Sequence, residues 1–309
     1  AGNDDLVGGA GIDTIDYSGA VGGIDVNLSS GVANIDGDGG SDTLASVENV
    51  TGSSNNDQIY GNGVANVIIG GSGNDIISGG AGSDNLQGGA GSDTLRFDDL
   101  TGLGVTLNLG AATAYYAVDG STDTFTGFET YYTTNQADII LGSNSGDTVF
   151  GLGGNDTFTV GDGADVIDGG DGLDTADFSS VSDATSISVT LNAENAVTVT
   201  VNGGTNDTLV NVENITGTSG NDTITGDGLV NILIGGAGDD VIRGGAGSDN
   251  LQGGAGTDQL RFDEFVGTGV SLNLSNSTAY ASGDNSTDTF SGFEEYYLSA
   301  QADTLIGSS

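Results

Sequence analysis

The chain has 309 residues, of which 58 are Gly, 44 are Asp or Glu and only 3 are Lys or Arg, giving a formal net charge of -41. Such an imbalance repels nucleic acid and anionic membrane surfaces and attracts cations, so nucleic-acid binding is excluded. With no Cys and no His, and with Arg as the only basic residue type, disulfides, thiolate and imidazole metal ligands, Schiff bases and Ser-His triads are all excluded.

High charge with modest hydrophobicity also marks disordered chains. The regular recurrence of Val, Ile, Leu and Phe beside Gly-Asp clusters argues against that here, and Pro is absent. The longest apolar runs are a few residues, so no membrane insertion is expected. Met is absent, including at position 1, as expected of a processed product or a segment of a longer protein.

In chain order, Asp4 and Asp13 read as the tail of a nine-residue ladder, and residues 14–51 then lack the period and read as strands. From Gly52 and Gly61 the nine-residue period is weak, with Asn66 in place of Asp. It becomes strict in Gly70-Gly71-Ser72-Gly73-Asn74-Asp75-Ile76-Ile77-Ser78, and again from Gly79 and from Gly88 to Arg96. Residues 97–136 are strand-like, with Val105-Thr106-Leu107-Asn108-Leu109 alternating apolar and polar. Asp138, Asp147, Asp156, Asp165 and Asp174 form a second ladder, with displaced glycines between Gly151 and Asp168. Residues 175–216 are again strand-like, as in Val189-Thr190-Leu191-Asn192 and Val197-Thr198-Val199-Thr200-Val201. The block from Gly217 to Arg261 repeats Gly52 to Arg96 at a distance of 165 residues, residues 262–301 are strand-like, and Asp303 reads as the start of another ladder. The expected organisation is a first tandem unit over 1–137, a second over 138–302 and the start of a further one at 303–309, in one continuous solenoid.

Within a nonapeptide, Gly-Gly-x-Gly-x-Asp favours a tight turn because its glycines reach positive φ. The x-apolar-x that follows fits a short strand with one buried side chain, such as Ile76, Leu86 or Leu95. Two nonapeptides close one coil of a flattened parallel solenoid, and coils stack at about 4.8 Å. The expected fold class is all-β, a right-handed parallel β-roll or β-helix with wider strand segments between the ladders. Stacking lines up Asp57, Asp75 and Asp93 on one edge and Asn66 and Asp84 on the other, and likewise Asp222, Asp240 and Asp258 against Asn231 and Asp249. Two carboxylates at that spacing repel by about 3.5 kcal/mol at an effective dielectric of 20. A domain is stable by only about 5–15 kcal/mol, so the ladder must be neutralised. Carboxylates and turn carbonyls suit a hard cation, and calcium above magnesium, zinc or copper.

The tandem Gly-Gly-x-Gly-x-Asp-x-apolar-x runs, strict over Gly70 to Arg96 and Gly235 to Arg261 and looser from Gly52, Gly217 and Ala137 and over Ala1 to Asp16, resemble the repeats-in-toxin (RTX, hemolysin-type calcium-binding repeat) family. The resemblance implies several calcium ions held between successive turns, export by a type I system and folding triggered by external calcium. It makes Asp4, Asp13, Asp57, Asp75, Asp84, Asp93, Asp138, Asp147, Asp156, Asp165, Asp174, Asp222, Asp240, Asp249, Asp258 and Asp303 the candidate ligands. Backbone carbonyls would come from Gly70, Gly71, Gly73, Gly79, Gly80, Gly82, Gly88, Gly89 and Gly91, and from Gly235, Gly236, Gly238, Gly244, Gly245, Gly247, Gly253, Gly254 and Gly256. Sites at Asn66 and Asn231 are expected to be weak or empty.

Glu48 and Glu213, in matching stretches, are expected to cap a coil. Arg96 and Arg261 are expected to pair with Asp98 and Asp263. Tyr131-Tyr132 on one strand must point to opposite faces, one of each such pair packing inside. The functional expectation is an extracellular, calcium-dependent structural protein of a bacterial cell surface: a surface layer, a filament or the stalk of an adhesin, without enzymatic activity of its own. Its partners would be calcium, copies of itself and other surface components. The alternative is a calcium-binding appendage of a secreted enzyme or toxin.

Overall fold

The computed structural model describes residues 2–181, 186–193, 195–264, 267–281 and 283–307. Ala1 of the first ladder and Ser308 and Ser309 lie outside the described residues. Those described form 34 strands of three to six residues and no helix. By internal contacts there are two compact units, Ala1–Ile140 with Thr148–Gly154, and Leu141–Asp147 with Asn155–Ser309.

In the first unit the nonapeptides build two facing parallel sheets. Gln58–Asn62, Ile76–Gly80 and Thr94–Arg96 pair in sequence with Ile59, Ile77 and Leu95 in register. On the other side Val67–Ser72 pairs with Asn85–Ala90, setting Ile68 against Leu86. Each register step is 18 residues, two nonapeptides per coil. Alternation along each strand turns one apolar side chain inward, and Ile59, Ile68, Ile77, Leu86 and Leu95 are all 0% exposed. The second unit repeats this with Ile224, Ile242 and Leu260 in one stack and Ile215, Leu233 and Leu251 in the other. Burial of such a side chain stabilises by about 1.5–3 kcal/mol, and truncation also leaves a cavity. Leu86→Ala should therefore lower the unfolding free energy in calcium by about 2–5 kcal/mol in a urea titration; an unchanged midpoint would rule out this stack as the core.

The segments between ladders are neither wider coils nor separate packed sheets. Each is a three-stranded antiparallel meander whose strands continue the sheet of the coils. In the first unit Val105–Asn108, Thr113–Tyr116 and Ser121–Thr126 pair antiparallel in that order, and Ser121–Thr126 then pairs parallel with Asn85–Ala90. Asp25–Asn27, Val32–Ile35 and Asp42–Ala45 form the earlier meander. In the second unit the strands are Ser186–Thr190, Val197–Asn202 and Asp207–Val210, and Val270–Asn273, Thr278–Ala281 and Ser286–Ser291.

Aromatic residues pack where these meanders rejoin the coils. Phe125 lies 6.4 Å from Phe128 and 5.8 Å from Tyr131 between ring centroids, and Phe290, Phe293 and Tyr296 repeat the arrangement. Tyr131 is buried and its hydroxyl donates to the Phe128 carbonyl at 2.7 Å. Tyr132 faces outward, stacked on Phe150 at 4.5 Å. The Arg96 guanidinium lies 4.8 Å from the Tyr132 ring centre while pairing with Asp98, and Arg261 does the same with Tyr297 and Asp263.

Candidate metal sites

The ladder aspartates lie along the turn edges in the expected columns, and one hydrogen bond repeats down them. The backbone N–H of each residue donates to a carboxylate oxygen of the next coil: Asp57 to Asp75 at 2.9 Å, Asp75 to Asp93 at 2.8 Å and Asn66 to Asp84 at 2.7 Å. The second unit repeats it from Asp222 to Asp240, Asp240 to Asp258 and Asn231 to Asp249. Asp147 donates to Asp165 and Asp156 to Asp174 in the same way. Asp4 is exposed and donates to Asp42.

The columns do not stop where the nonapeptides stop. Asp84 donates to Asp123 Oδ1 at 2.9 Å, Asp165 to Asp207 and Asp249 to Asp288. On the other edge Asp93 donates to Glu129 Oε2, Asp13 to Glu48, Asp174 to Glu213 and Asp258 to Glu294. Asp42, Asp123, Asp207 and Asp288 thus join the ladder, and the four glutamates close its ends. Glu48 and Glu213 cap their coils as expected; Glu129, Glu294 and the four aspartates escape a reading based on the nonapeptide alone. Their signal is a separate motif, Asp-Thr-Leu/Phe followed by Glu six residues after the Asp, present four times.

The second carboxylate oxygen divides the ladder. Oδ2 of Asp13, Asp75, Asp84, Asp93, Asp174, Asp240, Asp249 and Asp258 is buried and has no hydrogen-bond partner. These eight end the eight unbroken Gly-Gly-x-Gly-x-Asp turns of the chain. Four residues before each stands a glycine with positive φ, for example Gly71 at 119° and Gly236 at 110°. The glycine just before that one leaves room for the carboxylate: a Cβ at Gly70 would lie 2.3 Å from Asp75 Oδ2, and one at Gly235 2.2 Å from Asp240 Oδ2. Turn carbonyls approach the following turn closely, since a Cβ at Gly89 would meet the Gly71 oxygen at 2.1 Å and one at Gly91 the Gly73 oxygen at 1.6 Å.

In the other turns the same oxygen is satisfied. Ser53 N–H donates to Asp57 Oδ2 at 2.6 Å and its hydroxyl to Oδ1 at 2.8 Å. Thr134 serves Asp138, Ser143 serves Asp147 and Thr218 serves Asp222 with the same pair of donors. The Ser299 hydroxyl donates to Asp303 at 2.7 Å. At Asn66 and Asn231 the side-chain amide donates to the Glu48 and Glu213 carbonyls at 2.6 and 2.8 Å.

Burial raises the acidity constants of the ladder. Desolvation, then the charges of neighbouring carboxylates, pushes Asp75 up to about 6, Asp84 to about 8, and Asp240 and Asp249 to about 7. Buried anions in this state call for a counter-charge. Among the described residues no three Asp or Glu side chains gather at one point. A cation between two turns therefore draws on single carboxylates and backbone carbonyls. Eight partnerless oxygens of hard, anionic donors fit calcium, which takes six to eight oxygen ligands in adaptable geometry.

Comparison with protein families matches the RTX calcium-binding nonapeptide repeat over residues 1–16, 60–95, 123–158, 141–176, 212–228 and 225–260. Comparison with curated proteins gives no match. Among solved structures, the chain is similar to the extracellular lipase LipA of Serratia marcescens, with 16% identity, a TM-score of 0.23, and coverage of 80% of this chain and 38% of the lipase.

Proposed function

Because this chain belongs to the RTX calcium-binding nonapeptide repeat family and so binds calcium at several sites, we propose that it is a secreted, calcium-stiffened structural element of a cell surface. The observation that carries this reading is the column of partnerless carboxylate oxygens repeated in both units. A chain of net charge -41 cannot hold that column together without cations, and calcium outside the cell supplies them. Tandem duplication at 165 residues adds length and further ion sites rather than a new pocket, which suits a stalk or a layer. The chain itself performs no catalysis in this reading, since it offers no His, Lys or Cys. Its partners are copies of itself or other surface components.

The test is a calcium titration of metal-free protein, followed together by far-UV circular dichroism and light scattering, with magnesium as control. A calcium-specific gain of β signal with particle growth supports a self-assembling surface structure. Folding without growth favours an appendage of a larger secreted protein, and folding indifferent to calcium overturns the reading.

A further inference from the structure

We propose that the ladder mixes two kinds of turn, and that the five Ser/Thr-x-x-x-Asp turns ending at Asp57, Asp138, Asp147, Asp222 and Asp303 close without an ion. The inference goes beyond the surface role, and its premise is only that the strict glycine turns bind calcium. The family match runs through Asp138, Asp147 and Asp222 just as it runs through the strict turns, so the nonapeptide pattern does not separate the two kinds. The local chemistry does. In a strict turn the residue four before the aspartate is a left-handed glycine, and none of the eight carboxylates receives a donor at Oδ2. In the other kind Ser53, Thr134, Ser143 and Thr218 stay out of the left-handed region. Each aims its N–H at Oδ2 and its hydroxyl at the same carboxylate.

The hydroxyl is doubly engaged. Besides donating to the aspartate it accepts the N–H two residues on, from Asn55, Gln136, Ser145, Gly220 and Gln301 at 3.0–3.1 Å. An ion entering such a turn would have to displace two charge-assisted hydrogen bonds, whereas in a strict turn it meets an oxygen with nothing to lose. The Asn66 and Asn231 turns go further, since there the amide bonds the neighbouring coil directly. These ion-free turns follow each meander: Asp57 and Asn66 after the first, Asp138 and Asp147 after the second, Asp222 and Asn231 after the third, Asp303 after the fourth. Each meander and the turns behind it form a block whose closure needs no metal, and calcium acts on the strict turns between the blocks.

The test compares calcium stoichiometry at saturation, by equilibrium dialysis with radioactive calcium, in full-length Asp57→Asn and Asp222→Asn against Asp75→Asn and Asp240→Asn. The first pair should hold as many ions as the unaltered chain, and the second pair at least one fewer. Loss of ions from Asp57→Asn and Asp222→Asn equal to that from the second pair would overturn the inference. Should a variant fail to fold, amide hydrogen exchange of the unaltered chain at limiting calcium decides. The Ser53 and Thr218 amides should stay protected after those of Gly71 and Gly236 have lost protection, and simultaneous loss would count against two kinds of turn. If no variant and no condition showed calcium in the strict turns, the premise rather than the inference would have failed.

Discussion

Stripped of calcium at about pH 8, the chain should lose its β-structure, and acidification of the same metal-free sample to about pH 4 should restore a large part of it. The reason lies in the direction in which the ladder carboxylates are displaced. Their folded values stand above the ordinary aspartate value of 3.8, at about 6 for Asp75, about 7 for Asp240 and Asp249 and about 8 for Asp84, chiefly because burial penalises the charged form. A group raised on folding contributes stability that is fully present below its unfolded value and lost as pH rises through its folded value. The loss therefore runs from about pH 4 up to about pH 8, and protons neutralise the column where calcium is missing. Asp263, held low by Arg261 and Arg243, works in the opposite sense, but it is one near-surface group against several buried ones. With calcium bound the order reverses, because protons and metal compete for the same oxygens. Circular dichroism of metal-free and calcium-loaded samples across this range gives the check. A metal-free chain equally folded at both ends of the range would show that the buried carboxylates do not control folding.

Much of this arrangement was legible in the residues. The nine-residue period placed Ile59, Ile77 and Leu95 in one column and Asp57, Asp75 and Asp93 in another, because a stack with 18-residue coils leaves no freedom of register. The Tyr131-Tyr132 pair divided between inside and outside as strand alternation requires. What was not legible depended on long-range pairing. Nothing local in Ser121–Thr126 says that it lies beside Asn85–Ala90, so Asp123 stayed hidden as the next member after Asp84. Glu129 was visible as part of a repeated Gly-Phe-Glu, but its place above Asp93 follows only once the meander has been folded back into the sheet. The distinction between glycine and Ser/Thr turns was written in the sequence too. It needed hydrogen-bond donors to give it meaning, because both kinds carry the same aspartate at the same period.

Gly89→Ala and Gly254→Ala should be among the most damaging single substitutions available, each costing about 2–6 kcal/mol, whereas Gly63→Ala should be close to neutral. Gly89 has φ 118° and a Cβ there would sit 2.1 Å from the Gly71 carbonyl oxygen; Gly254, at 115°, would meet the Gly236 oxygen at 2.0 Å. Two penalties act together. Backbone strain at a left-handed position costs about 1–3 kcal/mol, and forcing a methyl group against the backbone of the next coil costs about as much again. Neither neighbour can give way, because the clashing atom belongs to a turn that is itself stacked. Each of these glycines also lies four residues before a partnerless aspartate, Asp93 or Asp258, so a tilted coil would disturb an ion position as well as the stack. Gly63 has nothing within 4 Å of its added Cβ and is not left-handed. Calcium titrations with urea unfolding at saturation would separate the two contributions: a lowered midpoint at saturating calcium reports the clash, and a rightward shift of the calcium titration reports the ion position. Equal stability of Gly89→Ala and Gly63→Ala would mean that adjacent coils are not stacked as closely as the carbonyl distances require.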